Sequence, residues 1–255
     1  MSQELIYPPP EVCPDIEAID TEGEKSVEST YPEKLYRLLA ESLVNNWPGP
    51  GDDRPFQVFT GVGLFHQWGQ PGLCPDLMLA LDIVPEAADS RQGRTYFTWL
   101  RGKVPDLVLE VVSDRVADET GHKLRQYQRI GIPYYVVYDP RAVLGDRLLR
   151  SFELRGGRYF PLENHFYPNI GLGFVLVDGV YEGMSGTWLR WCDHNGNVIP
   201  TSRERIESEI TRAEAEKARA EAEKARAEAE KARAEAEKAR AEALEARLRE
   251  LGGLP

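Results

Sequence analysis

No stretch of this chain approaches the roughly 20 consecutive apolar residues that a membrane-spanning helix requires. The first residues, Met-Ser-Gln-Glu-Leu-Ile-Tyr-Pro-Pro-Pro, lack the basic region followed by an apolar one that marks a secretory signal. Cysteine is scarce. Cys13, Cys74 and Cys192 are far apart and odd in number, which argues against a disulfide framework and against a zinc knuckle. A reducing cytoplasm is the simplest location for such a chain. Histidine is nearly as scarce, and His66, His122, His165 and His194 show no metal-ligand spacing. There is no Gly-x-Ser-x-Gly elbow for a serine nucleophile and no Gly-x-x-x-x-Gly-Lys loop to cradle phosphates.

An excess of positive charge is missing too. The net charge is −11, which argues against indiscriminate nucleic-acid binding through clustered Lys and Arg. A local basic groove stays open, because Arg91, Arg94, Arg101, Lys103, Lys123, Arg125 and Arg129 lie on both sides of Glu110 in sequence. Scattered solvated charges are an equal reading for the arginines taken singly.

What is present is a chain of 255 residues, 42% hydrophobic, enough for one sizeable domain and an appendage. Residues 1–30 are rich in Pro and acid and read as a loose arm. Tyr31 to Trp47 reads as an amphipathic helix, with Leu35, Leu38, Leu39 and Leu43 at helical spacing and Pro32 in the first turn. Phe56 to Phe65 is β-rich. Two apolar strands follow, Leu77 to Ile83 after Pro75-Asp76 and Leu107 to Val112 after Pro105-Asp106. Both are nearly continuous apolar runs, the pattern of strands covered on both faces. Between them, Glu86 to Tyr96 reads as a mobile polar loop.

Lys123 to Ile130 reads as a short helix with Thr120 as its N-cap, closed by Gly131 and Pro133. Tyr134 to Tyr138 is the next strand, so strand–helix–strand here suggests a parallel crossover. A hairpin around Gly156-Gly157 and further short strands complete a domain over 31–200.

From about residue 201 the chain changes character. Ala-Glu-Ala-Glu-Lys-Ala-Arg repeats four times from Ala213 to Arg240, all strong helix formers. A helix from Arg203 to Glu250 would run about 72 Å. The seven-residue period favours a left-handed coiled coil with Ala215 and Ala218 as the first a and d positions, although alanine methyls bury little area. A solitary charged helix is the competing reading. Leu244, Leu248 and Leu251 form a short apolar stripe that could meet a partner helix or a second copy of the chain.

The chemistry gathers around Glu110, an acid inside the run Pro-Asp-Leu-Val-Leu-Glu-Val-Val-Ser-Asp. Burying a carboxylate among Val and Leu is costly unless a cation compensates it. Phosphodiester hydrolysis needs charge neutralisation at the phosphate and an activated water, and Mg²⁺ held by carboxylates provides both. A lysine nearby stabilises developing charge. Asp106 and Glu110 share a strand, but their backbones are about 13 Å apart at 3.3 Å per residue. Asp76 opens a different strand that can lie beside Glu110. The preferred metal ligands are therefore Asp76 and Glu110, with the Val111 carbonyl as an added oxygen, and Lys123 supplies the positive charge. Asp106 reads as a strand-opening residue. A buried Glu110–Lys123 ion pair with no catalysis competes with this reading, as does a plain turn role for Asp76.

The order Pro-Asp, then Pro-Asp-Leu-Val-Leu-Glu-Val-Val-Ser, then Lys, Tyr and Gly-Ile-Pro-Tyr-Tyr-Val-Val-Tyr-Asp-Pro resembles the Uma-type restriction-endonuclease family of the PD-(D/E)XK nuclease superfamily. The resemblance covers about residues 31–200. It implies an α/β fold, a restriction-endonuclease-like mixed sheet core with flanking helices, followed here by the long C-terminal helix. It also implies a Mg²⁺ (or Mn²⁺) site with Asp76 as the motif's aspartate and Glu110 as its second acid. The motif's lysine usually lies two residues after that acid, where this chain has Val112, so Lys123 would take its place. A first-helix glutamate of the superfamily would match Glu33 or Glu41. The expected function is Mg²⁺-dependent endonucleolytic hydrolysis of DNA. The rivals are a non-catalytic scaffold using the helix for interaction and a DNA-binding module without turnover.

Overall fold

The computed structural model describes residues 30–67, 71–87, 95–112 and 119–252. The arm expected over 1–30 thus lies outside the described residues except for Thr30, as do residues 88–94 of the expected loop, including Arg91 and Arg94. The chain divides into two units, Met1–Thr201 and Ser202–Pro255.

In the first unit, α1 (Thr30–Asn46) precedes β1 (Phe56–Thr60), β2 (Leu64–Phe65), β3 (Leu77–Leu81), β4 (Tyr96–Phe97), the short α2 (Thr98–Arg101) and β5 (Leu107–Val111). A π-helical turn, Glu119–Lys123, leads into α3 (Leu124–Ile130), followed by β6 (Tyr134–Tyr138), β7 (Leu149–Arg155), β8 (Arg158–Pro161), β9 (Phe166–Tyr167), β10 (Leu172–Tyr181) and β11 (Met184–Cys192). Six strands form one mixed sheet in the order β1-β3-β5-β6-β7-β8. Only β5 and β6 run parallel within it, joined through α3. The fold is therefore mixed α/β with helices flanking the sheet.

Continuous apolar sequence in β3, β5 and β6 reflects burial of every residue in them. Alternate side chains go to two separate cores, as strand geometry demands. Leu77, Leu79, Leu107, Leu109, Val111 and Val136 meet the α1 leucines and Leu172, Phe174, Leu189 and Trp191 of the small sheet β9–β11. Met78, Ala80, Val108, Val112, Tyr135 and Val137 meet Leu64, Tyr96 and Tyr127 on the other side. The indole of Trp191 donates to the Leu39 carbonyl at 3.1 Å, anchoring α1 to its face.

Several boundaries differ from the sequence expectation for physical reasons. β3 ends at Leu81 rather than Ile83, because Asp82 has φ +58° and turns the chain out of the ladder. Arg54 holds that turn with two bonds of 2.7 Å to the Asp82 carboxylate. The helical segment before β6 begins at Glu119, not Lys123, so Thr120 lies inside the first turn and is not a cap. Its far end is closed by Gly131 at φ +89°, whose N–H reaches the carbonyls of Tyr127 and Gln128.

The second unit is one helix, α4 (Ser202–Gly252), 51 residues long and so about 76 Å at 1.5 Å per residue. Ion pairs at i,i+4 run along it, among them Arg203–Glu207 at 2.7 Å and Arg212–Glu216 at 3.1 Å. Each is exposed to solvent, so each contributes little to stability. Leu244 and Leu248 are exposed, while the side chain of Leu251 lies outside what is described. Among the described residues no helix is long and apolar enough to cross a membrane.

Candidate functional site

Glu110 has the strand parity of Val108 and Val112, so its side chain enters the core on the α3 side of the sheet. It is 1% exposed. Both oxygens are held from the helical segment: Tyr127 donates its hydroxyl to Oε1 at 2.5 Å, and Lys123 Nζ lies 2.8 Å from Oε2. Tyr127 and Lys123 are four residues apart across the junction of the π turn and α3, which aligns them over the end of β5.

Asp76 approaches from β3. The last paired residues of the antiparallel β3–β5 ladder at this end are Leu77 and Leu109, so Asp76 stands opposite Glu110 one step further on. Opposite residues of an antiparallel pair share a face. The Asp76 carboxylate accepts the Val111 N–H through Oδ2 at 2.6 Å, and its carbonyl accepts the Gly61 N–H at 3.2 Å. The structure thus brings Asp76, Glu110, Val111 and Lys123 together, drawn from two strands and the helical turn.

The electrostatics follow from this crowding. Burial first, and then the Asp76 charge, push the Glu110 carboxyl up to about 7, against the pull of Lys123 and Tyr127. Burial would lower the Lys123 ammonium, but Glu110, Glu119 and Asp76 together outweigh it and hold the lysine above its ordinary value. Lys123 therefore keeps its charge, and Glu110 is the group that gives its charge up first. Burial, then the Glu110 charge and hydrogen bond, raise the Tyr127 phenol, so it acts as a fixed donor.

Asp106, the other Pro-Asp aspartate, sits at the far end of β5. Its Oδ2 accepts the Leu81 N–H at 2.7 Å and Lys103 Nζ at 2.7 Å. Lys103 also donates to the Leu81 carbonyl, and Arg101 is engaged by the Val84 carbonyl and Glu86. Two of the basic groove candidates thus serve structural contacts. Arg125 and Arg129 are exposed on α3. Glu33 and Glu41 both line a cleft of about 470 Å³ that also includes Tyr36, Arg37, Thr60 and Gly61. The buried leucines of α1 pack on the sheet face opposite Glu110, and neither glutamate is singled out.

Sequence reasoning missed Glu119. It is 5% exposed, opens the π turn, and lies through Oε1 3.4 Å from Lys123 Nζ. Its Oε2 is buried with no hydrogen-bond partner among the described residues. The Tyr135 hydroxyl donates to its backbone carbonyl at 2.8 Å. The available signal was the spacing Glu119-x-x-x-Lys123, which places an acid one helical turn before the lysine.

Two carboxylates share one sheet face, and burial together with the Asp76 charge drives Glu110 toward neutrality; hard oxygens of this type are the donors that Mg²⁺ takes. That ion keeps several waters and takes one or two carboxylates. Among the described residues no group of three or more His, Cys, Asp or Glu could hold a metal ion.

A family profile described as Uma2, putative restriction endonuclease, matches residues 14–169. Comparison with curated proteins finds no match.

Proposed function

The chain belongs to the Uma2 family of putative restriction endonucleases, and from that premise we propose that it is a Mg²⁺-dependent (or Mn²⁺-dependent) endonuclease hydrolysing phosphodiester bonds in DNA. Family membership supports a nuclease-type hydrolase in general terms. The finer reading rests on one observation: Glu110, buried among apolar residues, shares a sheet face with Asp76 and is in contact with Lys123 at 2.8 Å.

Asp76 and Glu110 would hold the ion, with the Val111 carbonyl as a third oxygen. When bound, the ion supplies charge neutralisation at the phosphate and lowers the pKa of a water. The protein's own groups do the rest. Tyr127 fixes the Glu110 carboxylate by its hydrogen bond. Lys123, charged and partly exposed, donates hydrogen bonds toward a phosphate oxygen or the attacking water and offsets the negative charge that develops. The Val111 N–H orients Asp76. Exposed Arg125 and Arg129 on α3 are available to the DNA backbone. The scarcity of cysteine in the sequence suits a reducing cytoplasm. The α4 helix is offered to a partner helix rather than to a second copy of the chain.

The net charge of −11 favours a second reading, a nuclease-like scaffold or DNA-binding module without turnover. A cleavage assay with Mg²⁺ or Mn²⁺ on several DNA forms separates them, comparing the wild type with Glu110→Ala and Lys123→Ala. Metal-dependent cutting lost in both variants supports the enzyme. A folded wild type that neither takes up the cation nor cuts supports the scaffold.

A further inference from the structure

Resting on the reading of Asp76 and Glu110 as a divalent-cation site, we infer that Glu119 is a positioning residue: it takes the Lys123 ammonium over from Glu110 when a cation claims the Glu110 carboxylate. One ammonium stands between two buried acids. It lies 2.8 Å from Glu110 Oε2 and 3.4 Å from Glu119 Oε1. A lysine carries three donors on a rotatable stem, so a small swing exchanges the closer partner for the farther one.

Glu119 is built to receive it. Its side chain is 6% exposed, and its second oxygen is bare among the described residues. A buried acceptor without a donor is costly, and a purely structural ion pair would satisfy it. The Tyr135 hydroxyl pins the Glu119 carbonyl, so the acid stays in place while the lysine moves. Lys123 is the mobile member, with a side chain 37% exposed, at the last residue of the π turn. Such turns are frequent at functional sites because they open one helical turn. Without Glu119, cation uptake at Glu110 would strand the ammonium or force it to compete with the ion for the same oxygen.

The test is calorimetric titration of the full chain with Mn²⁺, as a double-mutant cycle of Glu119→Gln and Lys123→Met. In the wild-type background Glu119→Gln is expected to weaken Mn²⁺ binding about tenfold, the loss of one charge-assisted hydrogen bond. In the Lys123→Met background the same substitution leaves the affinity as it finds it. If Glu119→Gln does not fold, Glu119→Asp carries the same comparison, because its withdrawn carboxylate weakens binding only where Lys123 is present. Wild-type affinity retained by the Glu119 variants overturns the inference alone. So does a loss that persists without Lys123, which would make Glu119 a ligand. Failure of the wild type and every variant to bind Mn²⁺ overturns the cation site itself, and the inference with it.

Discussion

Asp76 and Asp106 open adjacent antiparallel strands and clasp opposite ends of one ladder. Asp76 at the start of β3 accepts the N–H of Val111 at the end of β5, at 2.6 Å. Asp106 just before β5 accepts the N–H of Leu81 at the end of β3, at 2.7 Å. The two clasps are alike in geometry and different in charge. Asp106 has Lys103 at 2.7 Å as its counterion, whereas Asp76 lies in the field of both the acid Glu110 and the Lys123 ammonium.

That difference separates two variants. Asp76→Ala and Asp106→Ala should each destabilise the protein by about 1–3 kcal/mol, the cost of leaving an N–H without its carboxylate acceptor. Urea unfolding measures both losses. Only Asp76→Ala is expected to abolish Mn²⁺ uptake in calorimetry. An Asp106→Ala chain that folds but no longer binds would shift the site to the wrong end of the strand.

The Glu110 carboxyl is raised from its ordinary 4.5 to about 7 by burial and by Asp76. Between these values the folded chain binds more protons than the unfolded one. The stabilisation is therefore fully present below the unfolded value and is lost as pH rises through about 7, on the order of 3 kcal/mol in all. Glu110→Gln should flatten the fall in stability over that interval, read from urea melts. Cation affinity runs the other way, climbing as pH rises, because the ion must displace the Glu110 proton.

Tyr127→Phe removes the hydroxyl that donates to Glu110 Oε1. That hydrogen bond favours the charged carboxylate, so its loss should move the midpoint of Mn²⁺ binding to higher pH. It should also cost about 1–2 kcal/mol of stability. A midpoint that stays or falls would mean that the phenol does not act on the ionised form.

The long helix α4 offers alanine at its a and d positions, with Ala215 and Ala218 the first of them. A straight helix drifts about 20° per heptad against a strict seven-residue repeat, and a methyl group gains little by following the drift into a supercoil. The chain truncated after Thr201 should therefore sediment with the same stoichiometry as the full chain at micromolar concentration. A drop in stoichiometry on truncation would show that the alanine seam pairs.

The strands β3, β5 and β6 were legible because both faces of the sheet are covered. Leu77–Leu81, Leu107–Val111 and Tyr134–Tyr138 read as nearly continuous apolar runs, and the one acid among them, Glu110, stood out. Gly131 and Pro133 marked the end of α3 by backbone chemistry alone. The start of that segment was not legible. The first residue of the π turn is held at its carbonyl by Tyr135, sixteen residues away, and no local signal reports such a contact. Asp82 was hidden for a similar reason, since its left-handed backbone is held by Arg54 from another part of the chain. The clasp made by Asp106 likewise appears only once the register of β3 and β5 is known.

Clasped at both ends, the β3–β5 ladder behaves as a ruler that tolerates repainting but not rescaling. Successive residues of a strand alternate between the two cores, so inserting one residue within Leu77–Leu81 would invert the side chains before it and send Asp76 toward the α1 leucines. Designers who wish to retune this protein can exchange apolar side chains of like volume along these strands, provided that they never change the count.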